Sequence, residues 1–137
     1  MSHKEKGMSL IELIIVVAII AILGVVAYPS YMDSVRETRK TDGISMINKV
    51  MQAQERFFVN NLTYTDDLTD LGFANAGNTP SEEGHYLVSA ESCDAGLNVC
   101  VNITTDAQGS QDTGTPVDDD LELNSQGTKA GKWPNDH

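Results

Sequence analysis

Between residues 8 and 27 the chain carries a single charge, Glu12, and Leu13–Ala27 reads LIIVVAIIAILGVVA without a polar side chain. Twenty residues of helix at about 1.5 Å each reach about 30 Å, enough to cross a bilayer core. A soluble helix would show a polar face every 3.6 residues, and this stretch has none. The pattern therefore predicts a membrane-inserted helix. Beyond it, charge and hydrophobe alternate at helical spacing. Ile44, Ile47, Met51, Gln54 and Phe58 share one face, with Val50 and Phe57 beside it. Arg36, Arg39, Lys40, Asp42 and Glu55 mostly fall elsewhere. No strong terminator stands between Ala27 and Asn60. Pro29 removes one backbone hydrogen bond and predicts a kink, with Gly24 as a second weak point. Gly43 should weaken the helix by about 1 kcal/mol relative to alanine. A continuous helix from Met8 to Asn60 would be roughly 80 Å long. A domain of this size cannot bury it, so half must protrude into membrane or into other copies.

The rest of the chain loses that period. Residues 60–84 read as a loop with one helical turn at Asp66–Leu71. Tyr86–Ala90 and Val99–Thr104 alternate and predict strands, with Val99, Val101 and Ile103 on one face and a turn at Asp94–Asn98. A third strand is expected at Leu121–Leu123, after a polar connection over 105–120. Trp133 should cap the sheet or the helix edge. The expected class is α+β: a long N-terminal helix with a protruding apolar half, packed on a small antiparallel sheet of about three to four strands. The expected segments are 8–32 for membrane or filament core, 33–60 for the amphipathic half-helix, and 61–137 for the head.

Charge sharpens this division. The chain has 137 residues and a formal charge of -11. Residues 33–56 hold five bases and four acids, whereas 57–137 hold two bases, Lys129 and Lys132, and fourteen acids. Such a head stays soluble and repels polyanions, which argues against direct nucleic-acid binding. The length excludes a large multidomain enzyme.

Two readings of the apolar segment compete. A conventional secretory signal would use the basic His3, Lys4 and Lys6 and cut after Val25-Val26-Ala27, discarding the helix. The rival reading keeps it, and Glu12 favours the rival. A carboxylate at membrane depth costs about 2.5–3.5 kcal/mol on insertion scales and marks a function with a charged partner. The segment holds no lysine or arginine. Cleavage before Met8 would create an α-amino group four residues from Glu12, or beside the Glu12 of a neighbouring copy.

At this point Lys6-Gly7-Met8-Ser9-Leu10-Ile11-Glu12-Leu13, continuing to Ala27-Tyr28-Pro29-Ser30-Tyr31, resembles the processing site and helix of type IV prepilins. A looser similarity runs through Gln54-Glu55-Arg56-Phe57-Phe58, Asn61-Leu62-Thr63-Tyr64-Thr65 and Leu68–Phe73, resembling the minor-pilin-like group of type IVa pilins. The resemblance implies the pilin fold and a leader of residues 1–7. It implies cleavage after Gly7 by a prepilin peptidase, N-methylation of Met8, subunit recruitment through Glu12, and loosening of the helix between Gly24 and Pro29. Met8 stands where phenylalanine is commonest and Ser9 where threonine is usual. The implied partners are copies of itself and other pilins in a helical filament, the inner-membrane assembly platform, and lipid before assembly. The implied location is the bacterial inner membrane and then an extracellular pilus serving motility, adhesion or DNA uptake. A secretion pseudopilin, or a monomeric membrane-anchored periplasmic binding domain, is the alternative. The positive-inside count is ambiguous, because Arg36, Arg39 and Lys40 follow the helix as Lys4 and Lys6 precede it.

Cys93 and Cys100 flank the predicted turn, and a disulfide, a metal pair and free thiols are all open to them. A metal site needs more ligands; His3 lies in the leader, and His85 and His137 lack companions. A disulfide suits an exported domain with a small core and would contribute on the order of 2.5 kcal/mol on the chain-entropy model. Pilins often bridge their C-terminal region, and here the bridge would sit within the sheet. Asp118-Asp119-Asp120 with Glu122 offers hard oxygens for calcium but no ligand loop, so neither metal nor cofactor is expected. No nucleophile elbow or phosphate loop points to an enzyme. Asn61-Leu62-Thr63 and Asn102-Ile103-Thr104 match a glycosylation sequon that is frequent by chance.

Overall fold

A computed structural model describes residues 7–134. Contacts divide the chain into two units, residues up to Val35 and residues from Arg36 onward. One helix, α1 (Leu10–Asn61), contributes to both.

In the first unit, every residue from Gly7 to Tyr31 is exposed, including each large hydrophobe of the apolar run. The helix continues unbroken through Gly24 and Pro29. Pro29 has no N–H to give to the carbonyl four residues back, so that hydrogen bond is missing inside an otherwise regular helix.

In the second unit, residues 36–61 of α1 lie against a five-stranded antiparallel sheet. The strands are β1 (Thr79–Pro80), β2 (Tyr86–Ser92), β3 (Val101–Ala107), β4 (Leu121–Asn124) and β5 (Lys129–Gly131), in the order β1-β2-β3-β4-β5. Period-two alternation buries Tyr86, Val88 and Ala90 of β2 and Val101, Ile103 and Thr105 of β3 on the helix side. Register pairs Ala90 with Ile103, and Ile103 with Leu123. Met46, Ile47 and Val50 of α1 meet this face, joined by Tyr64, Leu68 and Trp133. A 3-10 turn at Leu68–Leu71, capped by Asp67 accepting from the Thr69 amide, seats Leu68 in the core. The short helix α2 (Pro116–Asp119) leads into β4.

The expected architecture holds, with more strands than the three to four expected. β1 and β5 are two and three residues long, too short to show alternation. The second strand of the hairpin starts at Val101, so Val99 lies in the turn and is half exposed. The buried stripe of α1 is also rotated. Lys40, Asp42 and Gly43 are buried, whereas Ile44 and Met51 are only partly covered. Gly43 explains the rotation. A Cβ there would lie 2.9 Å from Cδ2 of the buried Tyr86 ring, so glycine allows helix and sheet to approach at this point. Trp133 is buried in the core, and its indole N–H donates to the Ala130 carbonyl at 2.9 Å.

Candidate functional site

Gly7-Met8-Ser9 precede the helix, which starts with Leu13 N–H donating to Ser9 O at 3.1 Å. Glu12 falls in the first helical turn, where unpaired backbone N–H groups favour a carboxylate. Gly7 has no neighbouring atom within 4 Å of where a Cβ would lie, and Met8 is 67% exposed. The leader residues His3, Lys4 and Lys6 lie outside the described residues. Glu12 is exposed. Gly24 likewise has open space where a Cβ would be.

The head is organised by polar groups that sequence periodicity does not single out. Asp42, buried on α1, accepts from Ser81 Oγ and from the Glu83 and His85 amides at 3.1 and 3.3 Å. It fixes the turn between β1 and β2 onto the helix. Gln54 is fully buried; its side-chain amide donates to Thr65 O at 2.6 Å and accepts from Thr65 N at 3.1 Å. Lys40 is buried and donates to Lys132 O at 3.1 Å, tying the C-terminal segment to α1. Arg36 and Arg39 hold the 109–111 turn through Ser110 O and Oγ. A buried polar side chain costs free energy unless satisfied, so these pairings are geometric requirements of the head.

Cys93 and Cys100 form a disulfide, with Cα atoms 5.4 Å apart. The loop it closes packs back on the segment after α1, where Tyr64 N donates to Leu97 O at 2.9 Å. The solvent face of the sheet carries an open groove of about 420 Å³. Glu91, Asn102, Glu122 and Asn124 line it, with Lys129 the one cation among the described lining residues. The acidic run is divided in its roles. Asp119 accepts from the Thr113 hydroxyl and from the Thr113 and Thr115 amides; Asp120 accepts from the Ala107 amide at 2.9 Å. Among the described residues, no group of three or more His, Cys, Asp or Glu is placed to hold a metal ion.

Residues 2–28 match the family model for the prokaryotic N-terminal methylation motif. Residues 29–115 match the model described as type IV minor pilin ComP, DNA uptake sequence receptor. No curated protein matches the chain. The family is a structural pilin rather than an enzyme. The methylation motif and the apolar helix identify an inner-membrane-anchored pilin that is assembled into an extracellular pilus. A match over residues 29–115, well over half the chain, together with the five-stranded head behind a processed-type N-terminus, makes this chain a member of the ComP family of type IV minor pilins.

Proposed function

We propose that the chain is a structural subunit of a type IV pilus used in DNA uptake, processed after Gly7 by a prepilin peptidase and recruited through Glu12. The observation that carries the reading is the exposed apolar run of residues 8–31 with one carboxylate in its first turn. The membrane stores this segment; the filament core, made of other such helices, replaces the lipid. Pairing of Glu12 with the Met8 amine of an adjacent subunit offsets the burial of both charges.

The family description speaks of a receptor for a DNA uptake sequence. Charge sets this member's part in that task. Phosphate binding needs clustered cations, and residues 36–137, the compact unit that forms the head, hold seven lysines and arginines against seventeen acids. We therefore assign the head to filament construction in an uptake pilus rather than to direct capture of DNA.

Mass spectrometry of the mature chain tests the processing step. An N-methylated Met8 terminus is expected; a Tyr28 terminus overturns the reading. Glu12→Ala should leave processing intact and remove the chain from sheared filaments.

A further inference from the structure

The membrane-side half of α1 has little beyond its own backbone to keep it helical. Every residue from Gly7 to Tyr31 is exposed, Pro29 leaves one backbone hydrogen bond unmade, and Gly24 has open space beside it. A helix that opens at such a point opens cooperatively, and the opening runs along the chain until tertiary contacts make the next turn too costly. Arg36 is the first residue of the second unit.

There the 109–111 turn grips α1. Ser110 accepts from Arg36 Nε at 2.9 Å through its carbonyl and from Arg39 Nη1 at 2.7 Å through its hydroxyl. The side-chain amide of Gln111 donates to the Arg36 carbonyl and to the Tyr86 hydroxyl, each at 3.0 Å. In the helix ladder that same carbonyl accepts from the Lys40 N–H. Gln111 therefore bonds to the backbone of the very turn that an advancing opening has to break. Tyr86 is fully buried, and its ring lies across Gly43, seven residues and about two turns beyond Arg36 on the same helix face. Arg36, Gln111, Tyr86 and Gly43 form one continuous brace between helix and sheet.

Gln111 is 2% exposed, and its orientation is forced. A carbonyl can only accept, so the amide nitrogen must face Arg36. That leaves Oε1 buried without a hydrogen-bond partner. Such an orphan costs free energy, and an apolar side chain of the same length would avoid it. Core stability alone does not account for a glutamine here, whereas a bond to the Arg36 carbonyl does.

We propose that Gln111, seated on the 109–111 turn, stops helix opening at Arg36. The membrane-side half of α1 can then open or bend without unseating Met46, Ile47 and Val50 from the core. The stop acts within a single subunit and does not depend on the filament reading.

Hydrogen exchange of the full chain in detergent micelles, read by mass spectrometry, tests the stop, with Ser30→Pro added to open the helix next to Pro29. Ser30→Pro alone should speed exchange at 31–34 and leave amides 40–43 within about twofold of wild type. Adding Gln111→Met with Tyr86→Phe removes the clasp and the orphaned oxygen together and keeps the site apolar. That chain should exchange about tenfold faster at 40–43, with 47–54 and the urea midpoint of the head unchanged. Ser30→Pro with Tyr86→Phe keeps the Gln111 bond to Arg36 and should behave as Ser30→Pro alone. Faster exchange at 40–43 with Ser30→Pro alone means that the opening passes Arg36, and it overturns the proposal; this arm leaves the head unaltered and decides whether or not the head variants fold. Unchanged exchange at 40–43 in the Gln111→Met, Tyr86→Phe chain overturns it too. So does an equal loss of protection at 40–43 and 47–54 with a lower midpoint, which makes Gln111 a support of the whole head rather than a stop at its entrance.

Discussion

Residues 8–31 and 36–61 belong to one continuous chain segment and differ in what they bury. The first stretch is nearly all apolar, and every residue from Gly7 to Tyr31 is exposed. The second is mixed in composition, yet it buries Lys40, Asp42 and Gln54 beside Met46, Ile47 and Val50. Hydrophobicity alone would assign the core to the wrong half. In the first stretch apolar surface is kept for the membrane, outside the copy. In the second, apolar contacts supply the adhesion and hydrogen bonds from buried polar residues fix which backbone segment sits where.

The largest expected effect breaks or confirms that contrast directly. Ile47→Ala removes a fully buried side chain and should cost about 4 kcal/mol, read as thermal unfolding of the detergent-solubilised full chain. Ile15→Ala, at a position 53% exposed, should leave the melt of the head unchanged. A matching loss at Ile15 would end the comparison. Next, Gln54→Ala orphans both the amide and the carbonyl of Thr65 and should cost about 3 kcal/mol in the same measurement. The two helix glycines should then diverge. At Gly43 the rigid Tyr86 ring opposes a methyl group, so overpacking outweighs the helix-propensity gain and Gly43→Ala should destabilise by about 1 kcal/mol. At Gly24 nothing opposes it, and Gly24→Ala should slow amide hydrogen exchange around that position.

The smallest effect is a pH dependence of the head. Burial, with Asp106, Asp119 and Asp112 nearby, pushes the Asp120 carboxyl above its usual range. The folded state then binds its proton more readily than the unfolded chain. Its contribution is fully present at low pH and is lost as pH rises through the folded pKa. Asp120→Asn should therefore stabilise the head at neutral pH, with a gain that shrinks on acidification. At the adjacent Asp119, burial pushes upward, but hydrogen bonds from the Thr113 hydroxyl and the Thr113 and Thr115 amides, with Lys40 nearby, leave the carboxyl lowered. Its contribution is present at neutral pH and lost as pH falls through the folded pKa. Asp119→Asn should destabilise at neutral pH and matter less in acid. Urea midpoints across pH 3–7 check both signs.

Features that repeat or extend along the chain are legible in the sequence itself. Fifteen consecutive apolar residues, a lone Glu12 and the alternation of Tyr86–Ala90 each run far enough to stand above chance. The residues of Asp66–Leu71 point to a helical turn, and the 3-10 turn at Leu68–Leu71 lies within that stretch. What the sequence hides depends on contacts between distant residues. Asp42 looks like a solvated charge until Ser81 and the Glu83 and His85 amides converge on it. Gly43 looks like a flaw in the helix until the Tyr86 ring lies across it. β1 and β5 exist because longer neighbours template them, and two or three residues carry no period of their own.

The disulfide has a consequence for maturation. Its cysteines are seven residues apart, so closing the ring requires only the local hairpin and no contact with α1 or β5. Oxidation can therefore run ahead of tertiary folding as the chain emerges into an oxidising compartment. An oxidised subunit is not thereby a folded one, and a quality-control step that senses thiols would pass chains whose C-terminal strand has not docked. That strand is held without a covalent tie, by contacts such as Lys40 on the Lys132 carbonyl and the Trp133 indole on the Ala130 carbonyl. Resistance of the C-terminal residues to exopeptidase digestion, rather than thiol status, is the property that reports a finished head.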